Sequence, residues 1–183
     1  RPTASSLNFI AGGTVPNLVT VRVPATGIVE FYNSAGSTHL LVDVVGYYSL
    51  PASHATDTGR FVPVMPTSAW DTRTDNSALF AHDKASFPIA GFDGIALTAT
   101  AVVANVTAVR PTSAGYLTAF PDDLCAIPTV SSLNFAANQT VPNMVISRLS
   151  PVSSCSQGAG YLAIYNDAGD THVLIDVVGY FMA

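Results

Sequence analysis

One stretch occurs twice in the chain and sets what the rest can become. Near the start it reads Ser37-Thr38-His39-Leu40-Leu41-Val42-Asp43-Val44-Val45-Gly46-Tyr47-Tyr48. At the end it returns as Asp170-Thr171-His172-Val173-Leu174-Ile175-Asp176-Val177-Val178-Gly179-Tyr180-Phe181. Each copy is short, apolar and rich in Val, Ile and Leu, and each closes on Gly followed by two aromatics. Runs of this length and composition, bounded by turn residues, read as buried strands. The repetition extends upstream. Pro2-Thr3-Ala4-Ser5-Ser6-Leu7-Asn8-Phe9 matches Pro128-Thr129-Val130-Ser131-Ser132-Leu133-Asn134-Phe135, Thr14–Val19 matches Thr140–Val145, and Phe31–Gly36 matches Ile164–Gly169. Matching positions are 126 residues apart up to Val145 and 133 apart from Tyr165 on, so the second copy carries seven extra residues between those points.

Within each copy the pattern is strand, turn, strand. Asn33-Ser34-Ala35-Gly36 and Asn166-Asp167-Ala168-Gly169 have the residues that tolerate positive φ, so each copy is expected to end in a β-hairpin. Pro16 and Pro142 cannot donate to a ladder and restrict their strands to an edge or to the strand start. Residues 51–60 are small and polar and read as a linker. The segment from Phe61 to Phe120 has no counterpart upstream and offers further strands, among them Ala85–Ile89, Thr98–Val109 and Tyr116–Phe120. Residues 61–183 therefore read as a complete unit and residues 1–50 as the second half of another. Nothing has the long 3.6-residue period of a major helix. The expected fold is all-β, a two-sheet sandwich built from a duplicated β unit, because both faces of the repeated strand are mostly apolar; a trefoil-like arrangement is the alternative.

Composition narrows the partners. Charged residues make up 10% of the 183 residues, and 7 Lys and Arg against 12 Asp and Glu leave a net charge of −5. A chain so poor in cations is a weak ligand for polyanions, which argues against nucleic acid. No apolar run reaches the length of a membrane-spanning helix. The chain opens on Arg1 rather than Met and shows no leader pattern, which reads as a processed chain or a piece of one. Cys125 precedes the second copy and Cys155 lies within its extra stretch, while the first copy has a cysteine at neither place. The pair reads as a disulfide stapling the longer loop, and as a sign of an oxidising, extracellular setting.

Candidate chemistry is sparse. His39 with Asp43, and His172 with Asp176, recur, but residues four apart on a strand are about 13 Å apart and cannot hold one ion. Asp43 and Asp176 interrupt apolar runs, so each reads as a buried structural carboxylate in need of a partner. Arg73 is the favoured partner of Asp176, with Arg148 second and backbone amides third. Asn134, like Asn8 and Asn105, reads as a structural bridge between loops. Asp122-Asp123, Asp167 and Asp170 fall short of a calcium loop, and no metal or other cofactor is expected. There is no nucleophile elbow, metal-binding His pair or phosphate loop, and Glu30 is the only glutamate; no enzyme is expected. Trp70, Tyr47 and Tyr180 are the candidate ligand-binding aromatics, each weighed against a place in the core.

The order Asp71-Thr72-Arg73, Asn105-Val106-Thr107, Gly115-Tyr116-Leu117-Thr118, Leu133-Asn134-Phe135, Asn143-Met144-Val145, Tyr165-Asn166, Asp176-Val177-Val178-Gly179-Tyr180 resembles a repeat module of secreted actinobacterial proteins. The match covers residues 61–183 as a whole unit and 1–50 as a half. The resemblance implies an extracellular accessory module without catalytic residues, which binds a surface glycan or a surface protein. The alternative is a structural spacer or assembly subunit, with self-association through the half unit. The apolar half is expected either to pack on 61–183 as one composite domain, the favoured outcome, or to accept strands from elsewhere.

Overall fold

The computed structural model describes residues 5–48 and 58–183; most of the expected linker, and the first four residues, lie outside the described residues. All eight strands among the described residues fall between Phe61 and Phe181: β1 (Phe61–Asp71), β2 (Lys84–Pro88), β3 (Ala101–Val109), β4 (Gly115–Pro121), β5 (Leu133–Phe135), β6 (Val141–Arg148), β7 (Tyr161–Asn166) and β8 (His172–Phe181). They form two antiparallel four-stranded sheets, one in the order β1-β8-β3-β6 and the other β2-β7-β4-β5. The fold is an all-β sandwich, not a trefoil.

The repeated stretch forms β8 and lies in the middle of the first sheet. Val173, Ile175 and Val177 alternate into the core and are fully buried, as are Val102, Ala104 and Val106 beside them on β3. Leu117, Leu133, Leu162 and Ile164 cover them from the second sheet. Full burial of one such side chain contributes roughly 1.5–3 kcal/mol. A register shift between Val103 and Ala104 bulges β8 at Val178, after which Tyr180 also turns inward. Gly179 is required here: a Cβ would run into the Phe61 ring and come within 2.8 Å of the Val62 carbonyl oxygen.

The Asn166–Gly169 turn does not close a hairpin, because β7 belongs to the second sheet and β8 to the first. The Asn166 side-chain amide donates to the carbonyls of Gly169, Leu79 and Phe80. The turn is thus an arch from one sheet to the other, which lets both strands face the same core. Pro142 is the second residue of β6, an edge strand, as expected for a residue that cannot donate to a ladder.

The pairing follows a rule. Each of the six ladders joins a strand from 61–121 to a strand from 133–181, and no two strands of the same half pair. Residues 5–48 match only the second of these halves. By this topology they can make no ladder among themselves, and no strand is found in them. Nor do they complete a composite sheet with 61–181. Leu40, Val42 and Val44 are 57%, 56% and 84% exposed, whereas their matches Val173, Ile175 and Val177 are at 0%.

Candidate functional site

An open groove of about 530 Å³ lies where the end of β1 meets β2. Trp70 and Phe87 form its apolar wall, with ring centroids 5.7 Å apart. The Trp70 indole N–H donates to the Pro88 carbonyl at 3.0 Å, which fixes the ring half-buried rather than free. Hydroxyls of Ser68, Thr72, Thr74, Ser77 and Ser86 and the carboxylates of Asp71 and Asp75 complete the lining.

The polar rim is built from the turn after β1. The Asp71 carboxylate accepts the Arg73 backbone N–H at 3.0 Å, its Nε–H at 2.8 Å and its Nη2–H at 2.6 Å. This hydrogen bonding by the guanidinium, above all other causes, holds the Asp71 carboxyl down from 3.8 to about 2. Asp75 is also held low, chiefly by the hydroxyl of Ser77, which donates at 2.5 Å. Buried Thr72 ties the turn to β8: its Oγ1 accepts the Val173 N–H at 2.9 Å and lies 3.1 Å from His172 Nδ1. Both groove acids are thus held as carboxylates. General acid catalysis needs the opposite shift, towards neutral pH.

The other sequence-derived candidates do not gather here. Tyr180 is buried and sits opposite Val62 at the far end of the β1–β8 ladder, whereas Trp70 pairs with Ile175 near its other end. Tyr47 is exposed in the first copy. The three aromatics therefore form no common platform. Arg73 takes Asp71, not Asp176, and Arg148 takes Asp123 at 2.8 Å. Asp176 lies partly exposed on the outer face of the first sheet, between Ser68 and Asn105 of the flanking strands. Asn134, in the middle of β5, donates to Ser131 Oγ at 3.2 Å, a tie to the residues just before its own strand. Asp43 and Leu41 border a second hollow, about 290 Å³, opposite Tyr116, Ser131 and Asn134.

Two features were missed from the sequence. The buried carboxylate is Asp122, which meets Lys84 Nζ at 2.8 Å and accepts from Ser86 Oγ at 2.5 Å and from the Gln157 backbone N–H at 2.7 Å. Burial pushes its pKa up, but these bonds and the Lys84 charge outweigh burial and leave it lowered. The Gln157 bond joins the extra stretch to the end of β4. The Cys125–Cys155 disulfide does the same nearby, across a sequence separation of 30. Also unforeseen is the Tyr116–Tyr165 pair, ring centroids 6.3 Å apart, on the outer face of the second sheet. Strand alternation offers a signal for each ring, but their proximity depends on β4 pairing with β7.

Among the described residues no three His, Cys, Asp or Glu side chains gather to hold a metal ion, and no helix is long and apolar enough to cross a membrane. Comparison with protein-family models, curated proteins and solved structures finds no match to this chain.

Proposed function

We propose that the chain is a non-catalytic extracellular assembly module of a larger protein, joined to other polypeptide through residues 5–48. The observation that carries this reading is the contrast between Leu40, Val42 and Val44, open to solvent, and the same positions buried in β8. An apolar strand with unpaired edges is a template for another strand. The disulfide and the low charge content of the chain fit a secreted setting, as does the resemblance to secreted repeat modules. The test compares the parent with a Val42→Asp/Val44→Asp variant. The parent is expected to bind the apolar dye ANS and to associate increasingly with concentration in sedimentation, and the variant to do neither. A parent that is monomeric and dye-silent at high concentration refutes the reading.

A second reading is favoured by the groove at Trp70. Its hydroxyls, fixed carboxylates and half-buried indole are the groups that hold a sugar ring by hydrogen bonds and stacking. Attachment to a surface glycan through this groove predicts retention on a glycan array that Trp70→Ala abolishes. Equal retention of parent and variant rules the groove out.

A further inference from the structure

Resting on the assembly reading, we propose that residues 5–48 are the receiving half of a second sandwich, whose occupant is a segment with the strand pattern of residues 61–121. The occupant is read from an interface the molecule already contains. Every ladder of the sandwich joins a strand of 61–121 to a strand of 133–181, and residues 5–48 repeat the latter. The missing partners are therefore four strands of the former type.

The receiving half repeats local hydrogen bonds of the complete unit. Asn8 Nδ2 donates to Ser5 Oγ at 3.2 Å, as Asn134 does to Ser131. Asn17 Nδ2 donates to the Ser6 carbonyl at 2.6 Å across eleven residues, as Asn143 does to Ser132 at 2.7 Å. Asn33 Nδ2 donates to the Gly36 carbonyl at 3.0 Å, as Asn166 does to Gly169 at 2.7 Å, and both glycines have φ near +60°, at 65° and 62°. What the first copy lacks at its matching glycines is the close packing that the other half supplies. A Cβ at Gly179 strikes Phe61 and one at Gly169 comes within 2.9 Å of the Ser113 backbone N, whereas around Gly46 and Gly36 nothing lies within 4 Å.

Charge fits the same occupant. Arg22 occupies the position of Arg148, which clamps both oxygens of Asp123 at 2.8 Å. Glu30 stands where Ala163 is buried opposite Ser86, with Lys84 two residues along the same strand. Such a segment, continued to the position of Asp123, brings an acid to the one and a cation to the other. The 61–121 strands of a second copy are a poor source. Its β3 and β4 already have neighbours on both sides, and the Cys125–Cys155 bridge ties that half to the segment it would have to release. The first copy has no such bridge to offer in exchange.

The test extends the full chain. A copy of residues 60–126 is placed ahead of residue 1, which reproduces the natural 126–127 connection because Arg1 matches Ile127. Cys125→Ser is made in the added copy, since its bridge partner is absent there. The extended chain is expected to be monomeric, to lose most of its ANS fluorescence, and to show a calorimetric unfolding enthalpy close to twofold that of the parent. Val42→Asp/Val44→Asp in the extended chain should remove the added enthalpy and leave the original transition. Register is read independently by pairing Asp43→Cys with Asn105→Cys in the added copy, the positions matching the Asn105–Asp176 partners of β3 and β8. Oxidation should cross-link them in high yield and leave Asp43→Cys paired with Ala101→Cys unlinked. An extended chain with no added enthalpy and no cross-link overturns the inference. So does a parent that closes by itself into a dye-silent dimer, which assigns the face to a second copy. If the dye binding and association of the parent still disappear in Val42→Asp/Val44→Asp, the assembly reading survives that failure; if they were never present, both fall.

Discussion

Replacing Asp122 with Ala should destabilise the sandwich more than removal of any other acid. Asp122 is fully buried, and its carboxylate joins Lys84 on β2, Ser86 on the same strand and the Gln157 amide of the extra stretch. Truncation leaves the Lys84 ammonium without its counterion and the Gln157 N–H without its acceptor. Removing one partner of a buried pair costs about 3–5 kcal/mol. The Lys84 side chain keeps 28% exposure and can recover some hydration, so the expected loss is at the lower end, about 3 kcal/mol. For a folded unit of this size that lowers the melting temperature by about 10 °C. The assay is urea denaturation followed through Trp70, the single tryptophan, which packs on Phe87 inside the sandwich. The pH dependence has a definite sign. The folded pKa of Asp122 is lowered, so its contribution is fully present above the unfolded carboxylate value near ~4 and is lost as pH falls through the lower folded value. The gap between parent and variant should be full at pH 6 and should shrink below about pH 4. Equal midpoints at pH 6, or a gap that persists undiminished into acid, would refute the buried-pair reasoning.

Cys155→Ser should cost about 3–4 kcal/mol by the loop-entropy relation for a bridge of this span, and chemical reduction of the parent should reproduce the loss in the same denaturation assay. Ile175→Ala should cost about 2–5 kcal/mol, while Val42→Ala at the matching position should stay within about 0.5 kcal/mol of the parent; a comparable loss at both would mean that the first copy is packed. Arg73→Ala should raise the Asp71 pKa from about 2 towards 3.8, visible as a shift in its carboxyl carbon titration by NMR, and no movement would separate the low value from the guanidinium.

The apolar strand signals were legible because the same stretch recurs and its Val, Ile and Leu residues alternate against a core. Topology was less so. Asn166-Asp167-Ala168-Gly169 carries the residues of a tight turn, but local chemistry is the same for a hairpin and for an arch. Which it becomes depends on Leu79 and Phe80, whose carbonyls take the Asn166 amide from 86–87 residues away. Asp176 looked buried because Ile175 and Val177 flank it, yet on a strand those neighbours face the other side. Asp122 gave no comparable signal, since its burial is set by Lys84, Ser86 and a loop 35 residues later. The groove at Trp70 was seen only as a lone aromatic, because its hydroxyls come together where β1 meets β2.

The central claim is that one copy of the repeated stretch is a paired core strand and the other is the same strand without its partners. Residue-resolved hydrogen exchange on the intact chain tests it most directly, because it reads both copies in one sample. The amides of Val173–Val177 lie in ladders with β1 and β3 and should exchange only through opening of the sandwich. Those of Leu40–Val45 should exchange at least about a thousandfold faster, near the rate of unstructured chain. Equal protection in the two stretches of a monomeric sample would show that Leu40–Val45 already have partners, and the account of an unfilled second sandwich would be contradicted.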